Sequence, residues 1–240
     1  MATSEYVLTD AHRAQLPAWR DRWLKNALSC DPMTEYDREQ TIWAVDGLYK
    51  SVNLTPPKSI VFVPSPFLLR FAGGFAAALI YMRDKKHMTL PRVEQPELGA
   101  TGIGADIIRA VTAAINPGPS TVIPVVADEV AMKACSSTDE GRYWYRVNTS
   151  EIRNAAHLLG GENYKFLLSC AAASYRMWQG GNQWSAWVGF LSFYRDVVGA
   201  KLPHDEVWPY WYAGTVHSGP RIVHPDFAMI SDRPSTLLVD

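Results

Sequence analysis

Histidine, arginine, serine, asparagine and glycine crowd into the last third of this 240-residue chain. They stand in Gln179-Gly180-Gly181-Asn182-Gln183-Trp184-Ser185, in His217-Ser218-Gly219-Pro220-Arg221-Ile222-Val223-His224-Pro225-Asp226, and in Ser231-Asp232-Arg233-Pro234. An imidazole moves protons near neutral pH, and a guanidinium beside it lowers its proton affinity by like-charge repulsion. His217 or His224 next to Arg221 therefore reads as a general acid or base. Arg233 offers a planar fork for a carboxylate or phosphate, while Gln179, Asn182 and Ser185 would add neutral hydrogen bonds to a substrate. Each group also has a structural alternative. Loop histidines can bond backbone carbonyls, and Ser231-Asp232-Arg233-Pro234 can be a turn in which Ser231 or Asp232 accepts backbone N–H groups.

The familiar chemistries fit poorly. His217 and His224 are seven residues apart across a Gly-Pro turn, with neither an HExxH helix nor an HxH strand pair, and a metal would need Asp226 as a third ligand. No metal and no cofactor is expected. The nucleophile candidates are Ser65, Ser185 and Ser218, but Ser65 precedes Pro66 and lacks the GxSxG elbow of an α/β-hydrolase. Ser65 instead stands where a helix begins, as its cap or beside an anion held on the unpaired N–H groups. Cys170, in Leu-Leu-Ser-Cys-Ala-Ala-Ala, has the setting of an inert helix interior. Gly102-Ile103-Gly104 lacks the third glycine of a dinucleotide fingerprint. The catalytic set drawn from the sequence is thus Ser65, His217 and His224.

The elements that must position these groups are mostly helical. Apolar residues recur at helical spacing over 11–29 (Leu16, Trp19, Trp23, Ala27, Leu28) and over 35–52 (Ile42, Val45, Leu48, Tyr49, Val52), the second with Thr34 as its cap. Further helices are predicted over 67–81, 105–115, 128–135, 150–159, 163–175, 184–198 and 206–216. Ser59–Val63 is β-branched and aromatic between prolines, a strand signature. Other strand candidates are 121–126, 141–147, 227–230 and 236–239. The resulting expectation is an α+β fold, a mainly helical single domain with a small β-sheet.

Composition bounds the partners. With 23 Lys+Arg against 24 Asp+Glu there is no global charge to draw nucleic acid or a membrane surface, so nucleic acid is an unlikely partner. The run from Phe67 to Met82 is interrupted by Arg70 and falls short of the roughly 20 apolar residues of a membrane span. Cys30, Cys135 and Cys170 are odd in number and form no CxxC pair, which suits a reducing compartment, and residues 1–10 lack the features of a signal peptide. A cytoplasmic location is expected. Nine tryptophans include Trp19/Trp23, Trp184/Trp187 and Trp208/Trp211, spaced to share helix faces and seal packing, or alternatively to stack a base or sugar.

Several blocks carry a family resemblance: Asp37-Arg38-Glu39, Pro57 through Ile60-Val61-Phe62-Val63-Pro64-Ser65-Pro66, Tyr175 through Trp178-Gln179-Gly180-Gly181-Asn182, His217-Ser218-Gly219-Pro220-Arg221, His224-Pro225-Asp226-Phe227 and Ser231-Asp232-Arg233-Pro234. Over roughly 15–83 and 170–240 the chain resembles a group of uncharacterised actinobacteriophage proteins related to a bacterial domain of unknown function. The resemblance implies no activity. Such proteins often carry a low-complexity middle segment, whereas 84–165 is ordinary mixed sequence here. The resemblance thus implies that 84–165 is a variable insertion and that the Ser65 turn meets the C-terminal loops. Phage origin would place the protein in the cytoplasm of an infected bacterium. Two functions follow as expectations: an enzyme acting on a small polar substrate such as a nucleotide or modified base, or a non-catalytic factor binding a host or phage protein.

Overall fold

Ser59–Val63 forms β1, buried along its whole length, at the centre of the computed structural model, which describes residues 7–85, 102–116, 118–123, 149–176 and 183–233. The predicted elements at 128–135, 141–147 and 236–239 lie outside the described residues, as do Gln179 and Asn182. From the N-terminus the chain forms α1 (Asp10–Ala27), α2 (Glu35–Ser51), β1, α3 (Pro66–Asp84), α4 (Ile103–Ile115) and β2 (Thr121–Val122). It continues as α5 (Thr149–Gly160), α6 (Tyr164–Arg176), α7 (Gln183–Asp196), α8 (Trp208–Val216), β3 (Arg221–Val223) and β4 (Phe227–Ser231). The fold is a mainly helical α+β arrangement around one four-stranded mixed sheet.

The strand order is β2-β1-β4-β3. β1 runs parallel to β2 and to β4, with Ser59 opposite Phe227 and Val63 opposite Ser231, while β3 and β4 form an antiparallel hairpin. Sheet pleating sends alternate residues to opposite faces. Val61, Val63, Phe227 and Met229 join the large core of α3, α4, α5 and α6, whereas Ile60, Phe62, Ala228 and Ile230 meet Met33, Val45 and Tyr49 on the α2 side. Both faces are covered, which is why β1 and β4 read as unbroken apolar runs.

Ser65 caps α3, its hydroxyl accepting the Leu68 N–H at 3.2 Å, and Pro66 supplies a preset φ for the first turn. Fifteen of the nineteen residues of α3 are buried, so this helix is a core element and not an amphipathic surface one. Gly74 lets α6 approach it, since a Cβ there would lie 3.0 Å from Ala171 Cα. Ile103, Ile107, Val111, Ile152 and Leu159, all within the span the resemblance marks as an insertion, belong to the same core.

A separate aromatic cluster holds α1, α7 and α8 together through Trp23, Val188 and Trp208, with Trp19 and Trp211 packed beside them. Trp19 Nε1 also donates to Gly189 O at 3.0 Å. These rings seal helix packing. No described helix is long and apolar enough to cross a membrane.

Candidate functional site

Three chain segments converge beyond the carboxyl ends of β1 and β4: the start of α2, the end of α8, and Ser231-Asp232-Arg233. Asp232 N donates to Val63 O at 2.9 Å, and its carboxylate Oδ1 accepts the Met33 N–H at 3.3 Å. The β4 exit and the α2 entry are thereby tied together, beside the Ser65 turn. In open sheets with parallel strands this is the end at which ligands bind.

Thr34 caps α2 through a reciprocal box with Asp37: Thr34 Oγ1 accepts the Asp37 N–H at 3.2 Å and Asp37 Oδ2 accepts the Thr34 N–H at 2.9 Å. The box fixes the Asp37 carboxylate and leaves Oδ1 for a second contact. His217, at the C-terminal cap of α8, places Nδ1 2.7 Å from that oxygen. Burial pushes the Asp37 carboxyl up, but the hydrogen bonds from Thr34 and His217 outweigh it and hold it below its ordinary value. Asp37 is therefore ionised at neutral pH and only accepts, so in the neutral ring Nδ1 carries the proton and Nε2 the lone pair. Both side chains keep about a fifth of their surface, 23% for His217 and 20% for Asp37. Nε2 has no hydrogen-bond partner among the described residues.

A depressed carboxylate contributes stability that is present above its unfolded value and lost as pH falls through its folded one. Asp232 acts oppositely, because burial pushes its carboxyl up despite the Met33 N–H and the nearby Arg38 and Arg233 charges. Comparison with Asp37→Asn isolates the first effect. The melting temperatures of wild type and Asp37→Asn are expected to differ at pH 7 and to converge as the pH falls below about 4. A difference that stays constant across a pH 3–7 series would contradict the assignment.

The remaining sequence candidates are dispersed. His224 follows β3 at the opposite end of the sheet, where its carbonyl accepts the Tyr49 hydroxyl at 2.6 Å and its ring stacks on Phe227. Asp37 and Tyr49 are twelve residues apart on α2, so the two histidines are held about 18 Å apart along that helix. The expectation of one pocket shared by His217 and His224 is corrected: the sheet separates them. Arg221 is corrected as well, since its guanidinium turns inward to donate to Gly214 O and, at 3.3 Å, to Ser218 Oγ. Burial lowers it to about 10, still charged at neutral pH. Arg233 uses its fork inside the protein, on Val216 O and on Ser29 Oγ at 3.4 Å. It is a strut between β4, α8 and the α1–α2 connection.

Ser65 is buried as the α3 cap, and Ser185 is buried in the first turn of α7. Ser218 adjoins His217 in sequence, yet its hydroxyl donates to Gly214 O at 2.6 Å and Gly219 O at 3.0 Å. Among the described residues no group of three His, Cys, Asp or Glu is placed to hold a metal ion. Asp37 is the partner that sequence reasoning did not assign. Its signal was the Thr34-x-x-Asp37 spacing, which fixes a carboxylate at a helix start, but the imidazole it meets is 180 residues away. Compared with known proteins, the chain matches no family model, no curated protein and no solved structure.

Proposed function

We propose that the protein is an enzyme acting on a small polar substrate of the nucleotide or modified-base type, with His217 as its general acid–base group and Asp37 as the residue that orients it. The carrying observation is the 2.7 Å Asp37–His217 contact, which leaves Nε2 as the reactive atom at the ligand-binding end of the parallel strands. The Ser218 hydroxyl is directed to carbonyls, so the proton His217 moves belongs to water or to the substrate itself.

Thermal unfolding in the presence of a panel of nucleosides, nucleotides and modified bases tests this reading. A ligand at 100 times its Kd stabilises by about 2.7 kcal/mol, roughly 5–10 °C for a chain of this size. That shift is expected to shrink in His217→Gln. Silence across the panel, or a shift unchanged in His217→Gln, would overturn the proposal.

A second reading, a non-catalytic factor that binds a protein, is favoured by the outer face of α7. Trp187 is 67% exposed and Phe190 54%, and the Phe190 ring lies 4.9 Å from that of Tyr194. Solvent-facing aromatics spaced along one helix suit a partner surface. Silence across the ligand panel would favour this reading.

A further inference from the structure

On α2, starting beside the Asp37–His217 pair, stand two rings that the core does not use. Tyr36 is 59% exposed and meets the His217 ring edge-to-face at 5.5 Å between centroids. Seven residues on, Trp43 is 46% exposed and lies 4.7 Å from Tyr210. The partners run backwards along α8, from 217 to 210, so the helices are antiparallel and the two ring pairs stand about 10.5 Å apart along their shared seam. Seven residues is close to two helical turns, which puts Tyr36 and Trp43 on the same face of α2.

Gln40 occupies that face between them, four residues after Tyr36. It is half-buried, and its side-chain amide makes no hydrogen bond to the described residues. A primary amide presents a donor and an acceptor side by side, the pattern that pairs with the edge of a nitrogen heterocycle. An exposed tyrosine ring presents a flat face on which such a heterocycle stacks. Nearby arginines direct donors into the protein: Arg38 to Met33 O at 3.1 Å, and Arg233 to Val216 O and Ser29. The surface beside His217 is thus better equipped for a planar ring than for a phosphate.

We infer that Tyr36 and Gln40 set the specificity of the His217 site, and that its substrate carries a nucleobase-like heterocycle stacked on Tyr36 with its polar edge read by Gln40. This rests on the proposed acid–base role of His217. The ring would lie beside Nε2, within reach of proton transfer to or from its substituents.

Calorimetric titration of the four common ribonucleosides and of ribose 5-phosphate into wild type, Tyr36→Leu, Tyr36→Phe and Gln40→Leu provides the test. Tyr36 is exposed, so both of its variants are expected to melt with the wild type. Tyr36→Leu is expected to weaken nucleoside binding about ten-fold or more, Tyr36→Phe to bind as wild type, and Gln40→Leu to change the ranking of the four bases. Nucleoside affinity unchanged in Tyr36→Leu would overturn the stacking role, and an unchanged ranking in Gln40→Leu would overturn the edge-reading role. Ribose 5-phosphate bound where nucleosides are not would overturn the heterocycle and leave the His217 reading standing. Binding of neither class would remove both.

Discussion

Gly219→Ala is expected to destabilise the protein by about 3 kcal/mol, at the upper end of what overpacking costs, and to lower its melting temperature by roughly 6–12 °C. A Cβ at this position would lie 2.5 Å from Asp232 O, 2.6 Å from Ser231 O and 2.8 Å from the Asp232 carbonyl carbon. All three are backbone atoms, so no rotamer change can make room. Nor can the β4 end move away freely. Ser231 is paired with Val63, Asp232 N bonds Val63 O, and Gly219 N bonds Ser231 O at 3.1 Å. Any shift that admits the methyl group stretches this set together. Gly118→Ala is the control, since its nearest heavy atom would be 3.9 Å away, and a change within about 0.5 kcal/mol is expected there. Denaturant midpoints at constant m-value measure both, and a Gly219→Ala midpoint equal to that of the control would refute the steric argument.

The same tightness explains what the sequence could and could not disclose. Helix periodicity in 11–29, 35–52 and 184–198 is a local property, and α1, α2 and α7 formed there. Ser59–Val63 and 227–230 announced themselves because both sheet faces are covered and every position needed an apolar or small residue. β3 did not. Arg221–Val223 is three residues long, lies on the sheet edge, and is flanked by Pro220 and His224-Pro225, so turn chemistry masked it. Short edge strands gain their identity from the strand they pair with, which a local pattern does not contain.

Legibility of the site followed the same division. Thr34 as a cap and Ser65 at a helix start were readable, because capping depends on residues three apart. The neighbour of His217 was not. Placing Arg221 beside it assumed that proximity in sequence means proximity of side chains, whereas Arg221 begins a strand and sends its guanidinium back to Gly214. The seven-residue spacing of His217 and His224 misled for a related reason: β3 lies between them and carries the chain from one end of the sheet to the other. Asp37 reaches His217 only because α2 covers the sheet face next to α8, a consequence of packing that no motif records.

On the proposed acid–base role, His217→Gln is expected to lower kcat on the substrate by about 10²–10⁴-fold, the range for removing a positioned general acid–base group. Glutamine keeps a hydrogen-bonding side chain of similar reach at the end of α8, so the loss would reflect proton transfer more than folding. Asp37→Asn makes a sharper point. The amide can donate where the carboxylate could only accept, which favours the opposite imidazole tautomer and directs a proton toward Nε2 where a lone pair is needed. Its effect should therefore fall on kcat with KM little changed, because the ring stays in place while its reactive atom is altered. A His217→Gln enzyme with an unchanged kcat would show that the imidazole takes no part in the proton transfer, whatever its contact with Asp37 does for the fold.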